Sequence, residues 1–368
     1  MILGIDLGTT YSVGAYIDDN DMPQVVLNSE GNTVTPSVVL FDTDEEIVVG
    51  DVAKDNIIIR PEDVVSVIKN DMGKKIVVRE VGGKQYTPEM ISSFIIRKVV
   101  QDAEAYIGEK ITDVVVTVPA YFKDSQRKAT EDAAVIAGVN LCGMINEPTA
   151  AALYYVNKNE IENEHIMVYD LGGGTFDVTI LDVKNSKEIE VMSTGGLSNA
   201  GGRFFDQEIV DYVRDYMEEK HDIDLEDDEY VDDLQELYLK AEKAKIQLSN
   251  KTSTVITLKI GKIRESITVT REHFEQMVMG TYEKTERKIK EALAAAKLDI
   301  AQIDRILLVG GSIRIPYIAD RITQFMGKEP SREMNPDEAV AIGAALYKKA
   351  AKQGNTLAIN ALKDMGLW

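Results

Sequence analysis

The sequence holds one cysteine, one tryptophan and three histidines in 368 residues, and each scarcity removes a class of explanation. With Cys142 alone, no internal disulfide framework can form, which fits a reducing, cytoplasmic setting. Between Leu141 and Gly143, it reads as a small buried apolar residue rather than a reactive thiol. His165, His221 and His273 lie far apart in no ligand-spaced pair, so a zinc site is not expected. No apolar run is long enough for a bilayer span. The first strand begins at Ile2 with Asp6 close behind, so neither membrane insertion nor a cleaved leader is expected. Positive charge is also in deficit: 41 basic against 62 acidic residues leave a net charge of -21, which disfavours nonspecific attraction to nucleic acid or an anionic membrane. A phosphate site must therefore be built locally, from backbone amides, a few lysines and a metal ion.

What is present is apolar material, 44% of the chain, enough for two large lobes. The organising stretch is Asp170-Leu171-Gly172-Gly173-Gly174-Thr175-Phe176-Asp177, preceded by Ile166-Met167-Val168-Tyr169. A buried strand delivers a carboxylate to its end, glycines let the backbone turn close to a ligand, and Thr175 and Asp177 follow on the returning strand. Ile2-Leu3-Gly4-Ile5 leading into Asp6-Leu7-Gly8-Thr9-Thr10, with an outgoing strand from Ser12 to Ile17, repeats the pattern. Two hairpins with Asp at the same place predict two similar lobes gripping a phosphate chain, with a cation between their carboxylates.

Between the hairpins, residues 33–40 read as a β segment, and 61–70 as a helix with Lys69 near its end. Thr87 and Pro88 open a long amphipathic helix, and Gly138 closes one that starts at Lys123. Val114 to Val118 is too continuously apolar for a half-exposed strand and suits a sheet covered on both faces. Glu147 and Pro148 start a helix rich in small residues. The second half repeats hairpin, helix, buried strand (306–309) and helix, and 335–338 reads as a helix start capped by Asn335. The carboxylates of 222–233 read as a solvated face, because they lack the glycine placement of a calcium loop.

These pieces resemble the nucleotide-binding domain of the Hsp70/DnaK chaperone family, within the actin, hexokinase and Hsp70 superfamily. The resemblance is carried by residues 4–12, Val118-Pro119-Ala120-Tyr121-Phe122 with Gln126-Arg127, 146–153, 170–177, Gly310-Gly311-Ser312-Ile313-Arg314-Ile315-Pro316, and 335–345. It implies an α/β, two-lobed actin-like ATPase fold that closes on ATP, Mg²⁺ and K⁺. On that resemblance, Gly8, Thr9, Thr10 and Tyr11 hold the β and γ phosphates from one lobe, and Gly172, Gly173, Gly174 and Thr175 from the other, with Gly201 and Gly202 beside them. Asp6 and Asp170 orient the magnesium, Lys69 meets the γ-phosphate and attacking water, Glu147 and Asp177 arrange water and ions, and Thr175 positions the nucleophile. Gly310, Gly311, Ser312, Arg314 and Asp337 form the adenosine pocket with Glu242, Lys245, Ile246 and Ser249 across it. Pro119 and Arg127 resemble an interlobe relay. From the residues alone, Lys69 is a solvated lysine, Glu242 and Lys245 a surface ion pair, and Pro119 a strand terminator.

The expected lobes are residues 1–160 with 335–368 returning, and 161–334. Several pieces depart from the family pattern: short segments at 73–86 and 249–271, Arg203-Phe204 in place of two acidic residues, and Ile313 in place of a threonine. After Ala351, no linker or β-rich substrate domain is expected in this chain, so client binding is not implied. A J-domain protein and a nucleotide exchange factor are the implied partners, the latter's surface altered by the short segments. Rival readings are a nucleotide-gated binding module with incidental hydrolysis and, ranked lower, a small-molecule kinase of the same superfamily.

Overall fold

The computed structural model describes residues 1–43 and 46–364. In the strand Asp113–Val118, the side chains of Val114, Val116 and Val118 join Leu3 and Ile5 in one core, whereas Val115 enters another. In Asn163–Leu171, Met167, Tyr169 and Leu171 pack with Phe205 and Tyr282, while Ile166 and Val168 face the opposite way. Both strands are buried on both faces, which is why they read as unbroken apolar runs.

Two sheets follow one plan. In the first, Ile2–Asp6 pairs antiparallel with Tyr11–Ile17 and parallel with Asp113–Val118, setting Ile5 opposite Val116. In the second, Asn163–Leu171 pairs antiparallel with Phe176–Lys184 and parallel with Arg305–Val309, setting Asp170 opposite both Asp177 and Val309. Outer strands complete each: Asn140–Asn146 and Pro23–Val25 in the first, Glu188–Leu197 in the second. The expected duplication is therefore present, and it brings both Asp-bearing turns to strand ends.

Between the sheets lie the helices Glu147–Lys158 and Ala339–Lys352. Their alanines share one core with Val115 from the first sheet and Ile166, Val168 and Leu307 from the second. The small residues after Pro148 thus serve close packing: a Cβ on Gly343 would stand 1.8 Å from the Ala150 carbonyl oxygen. Alanine is the better helix former, so propensity alone favours Gly343→Ala. The clash decides the sign, and the variant is expected to lose about 2 kcal/mol in urea unfolding with an unchanged slope.

Three local expectations are corrected. Residues 61–70 do not form a helix: 3-10 turns at Pro61–Asp63 and Ile68–Asp71 flank Val64–Val65, which pairs with Val39 and Leu40. β-branched residues there find a sheet edge, and Val67 turns at φ +52°. Residues 33–40 divide into Thr35–Pro36, paired with Tyr11 and Ser12, and Val39–Phe41 in a separate sheet. The last long helix begins at Ala339 rather than Pro336: Asn335 accepts from the Asp337 amide through its side chain at 3.2 Å and from the Ala339 amide through its carbonyl at 3.0 Å, as expected of a cap, but the intervening residues form a turn, to which Arg314 also donates at Asn335 and Asp337. The expected return of 335–368 runs outside the described residues at 365–368.

Candidate functional site

A cleft of about 1190 Å³ opens between the two sheets. Of the residues singled out above, Asp6, Gly8, Thr9, Thr10, Tyr11, Lys69, Glu147, Asp170, Gly172, Gly173, Thr175 and Gly202 line it. So do Glu242, Lys245, Ile246, Ser249, Gly310, Gly311, Ser312, Arg314 and Asp337. Gly174, Gly201 and Asp177 do not. Gly201 lies behind the second turn, where the Phe205 amide donates to its carbonyl, and the Gly174 carbonyl accepts from Ala200.

The two turns meet. Ser37 donates to the Gly8 carbonyl at 2.8 Å and holds the first turn from outside. In the second, the Gly172 carbonyl accepts from the Gly202 amide at 3.0 Å and the Ser312 hydroxyl at 2.7 Å, and the Gly173 carbonyl accepts from the Arg203 amide at 2.8 Å. With the carbonyls engaged from behind, the Gly173 and Gly174 amides have no protein acceptor among the described residues. The closest approach is at Gly173, where any Cβ would stand 1.8 Å from Thr10 Oγ1. Thr10 Oγ1 is itself buried without a partner. Unclaimed amides and a hydroxyl converging on one gap form a cradle for anionic oxygens.

Beneath the turns sit Asp6, Glu147, Asp170 and Asp177, with Lys69 among them. Lys69 is no solvated lysine: it is 8% exposed and donates to Glu147, which is 7% exposed. Burial opposes its charge, but Glu147 and Asp6 outweigh that and hold its pKa above the ordinary value. Thr117 donates to Asp6 at 3.1 Å. Even so, burial first and Glu147 second push the Asp6 carboxyl up to about 7. Burial followed by Glu147 raises Asp170 and Asp177 well above the carboxylate range. Asp177 is 1% exposed, and neither of its oxygens has a hydrogen-bond partner among the described residues. Such a cluster fits a cation. Among the described residues, no three His, Cys, Asp or Glu side chains could ligate a metal by themselves, so a hard ion here would be completed by water and phosphate oxygens.

A raised carboxyl pKa makes the folded chain bind protons more tightly than the unfolded chain. Its stabilising contribution is complete below pH ~3.9 and is lost as the pH rises through the folded value. For Asp6 that loss is centred at about 7. The melting temperature of the nucleotide-free chain is therefore expected to be higher at pH 5 than at pH 8, by on the order of 5 °C, with Asp6→Asn flattening the profile.

The wide end of the cleft was less legible. Glu242 and Lys245 share a helix face without pairing with each other. Lys245 binds Asp206 at 2.7 Å and the Gly202 carbonyl at 2.9 Å. Glu242 accepts from Lys54 across the cleft at 2.7 Å, and the Tyr11 hydroxyl lies 3.2 Å from it. Lys54 and Asp206 carry no signal in the sequence, because their partners lie nearly 190 and 40 positions away. Burial raises the Asp206 pKa to about 6, and Lys245 limits the shift. Tyr121, within the Pro119–Phe122 piece, contacts the Thr175 side chain. Arg127 donates to Asn146 at 2.7 Å, which joins the Asp124–Ala137 helix to the start of the Glu147 helix.

Paired sheets, mirrored Asp-bearing turns and the intervening cleft define a two-lobed, actin-like fold. The Hsp70 family model, described as "Hsp70 protein", matches residues 2–365, and the chain belongs to the Hsp70 family. The chain is 46% identical over 352 residues to the chaperone protein DnaK of Thermotoga petrophila, a match covering 94% of this chain and 58% of that protein. DnaK of Thermotoga maritima is equally similar, and that of Thermotoga neapolitana is 45% identical over the same coverage. The chain thus spans somewhat more than half the length of these relatives. Members of the family are ATPases.

Proposed function

We propose that the cleft binds ATP and slowly hydrolyses it to ADP and phosphate with Mg²⁺, and that nucleotide state is coupled to closure of the two lobes. One observation carries the reading: two Asp-bearing turns, with engaged carbonyls and unclaimed amides, meet over a buried cluster of four carboxylates and one lysine. Gly8, Thr9, Thr10 and Tyr11 would grip the β and γ phosphates from one lobe, and Gly172, Gly173, Gly174 and Thr175 from the other, backed by Gly201 and Gly202. Asp6 and Asp170 would hold hydrated Mg²⁺, which would neutralise phosphate charge when bound. The unpartnered oxygens of Asp177 suit K⁺ or ordered water. Lys69 would face the γ-phosphate and water, with Glu147 setting its position and Thr175 aligning the water. None of these groups needs to be a strong base, because phosphoryl transfer depends mainly on placement and charge stabilisation. Gly310, Gly311, Ser312, Arg314, Ile246, Ser249 and Asp337 would enclose the adenosine.

A switch reading is favoured by the Lys54–Glu242 bridge, which spans the cleft mouth and would have to break when it opens. The proposed lobes are 1–160 with 335–368, and 161–334. A J-domain protein and an exchange factor would act on them in the cytoplasm. No helix among the described residues is long and apolar enough to cross a membrane. Calorimetry of ATP and ADP with and without Mg²⁺ and K⁺, with single-turnover hydrolysis, tests the reading. Magnesium-dependent binding with slow turnover supports it, and absence of binding refutes it.

A further inference from the structure

Cations around the cleft are mostly committed. Lys69 is paired with Glu147, Lys54 with Glu242, Lys245 with Asp206 and Arg314 with Asp337. Two arginines differ: Arg203 and Arg332 line the cleft and are exposed, yet neither guanidinium has a hydrogen bond or ion pair among the described residues, and of the two Arg203 is the one whose backbone is bound to the second turn. Its position is thereby defined. Its amide is bonded to the Gly173 carbonyl, and Gly173 is the residue that abuts Thr10 where the two turns meet. Its neighbour Gly202 lies against Ser312 and Lys245. Arg203 therefore stands between the turns and the wide end, where a phosphate chain would run. The guanidinium carbon sits 5.1 Å from the centre of the Phe204 ring. Stacking occupies the guanidinium face and leaves its edge, with its fork of N–H donors, open to a ligand.

We infer that Arg203 is a phosphate-binding residue of this cleft, donating to the phosphate chain of the nucleotide. The inference rests on the ATP reading above. A free guanidinium is well suited to this role, because arginine remains charged and matches phosphate oxygens in a bidentate manner. Its contribution should grow with the number of phosphates and vanish for adenosine.

The test is calorimetric titration of the full chain and of Arg203→Ala, Arg203→Lys and Arg203→Glu with adenosine, ADP and ATP at two salt concentrations. Arg203→Ala is expected to weaken ATP about tenfold, ADP by less, and leave adenosine unchanged. Arg203→Lys should recover part of the loss and Arg203→Glu deepen it. The ATP affinity of the alanine variant should also depend less on salt. Unchanged adenosine affinity shows that the variants retain the pocket. Equal losses for all three ligands, or none, would overturn the inference while leaving the ATP reading intact. If the unaltered chain binds no nucleotide, both fall.

Discussion

Replacing Lys69 with alanine is expected to reduce single-turnover ATP hydrolysis by roughly 10²–10³-fold while changing ADP affinity by less than tenfold. Among the described residues, Lys69 is the one cation buried among Asp6, Glu147, Asp170 and Asp177, and it is placed by a hydrogen bond to Glu147 rather than by solvent. On the proposed function, a charge held in that way would act on the transferring phosphoryl more than on the resting nucleotide, which the amides of the two turns would already grip. Removing it also leaves Glu147 buried without its partner, so the nucleotide-free variant should melt at a lower temperature. Adding Glu147→Gln should restore much of that stability without restoring hydrolysis. If Lys69→Ala hydrolyses ATP at the original rate, the lysine is structural and its proposed role is wrong.

The double variant Asp6→Asn, Asp170→Asn should lose about 10²-fold in ATP affinity and, with it, the dependence on Mg²⁺. The amide keeps the shape of the carboxyl group and removes the charge that would orient a hydrated cation. Stability should move in the opposite direction. Burial and Glu147 make ionisation of both groups unfavourable, so neutral side chains should raise the melting temperature of the nucleotide-free chain at pH 8. Binding measured by calorimetry and melting measured without ligand separate the two effects. Magnesium-dependent binding that survives the double substitution would remove both aspartates from the metal site.

Local pattern was enough for some of these residues. Asp6 and Asp170 each end an apolar run and precede a glycine-containing turn, and both occupy equivalent strand ends. Lys69 had no such mark. Its expected helix does not exist, and its burial arises from a short 3-10 turn carried toward Glu147, 78 positions away. Lys54 and Asp206 were missed for the same reason. Each looks like an ordinary surface residue until a helix from elsewhere supplies Glu242 or Lys245. The helix expected at Asn335 differs only in its first turn: Asn335 accepts from the Asp337 amide through its side chain and from the Ala339 amide through its carbonyl, as a cap does, but the regular helix starts at Ala339, and Arg314 adds a tertiary contact to the same turn.

By itself, the sequence determined the duplicated plan, the two Asp-bearing turns and the strands covered on both faces. Those features depend on periodicity and turn chemistry within a few residues of each other. Only the tertiary structure decided which charges share the cleft, which are already paired and that Arg203 has no ion pair among the described residues. Burial and ion pairing depend on distances between segments far apart in the chain. A carboxylate next to lysine and the same carboxylate alone in a dry cleft have identical sequences and different chemistry.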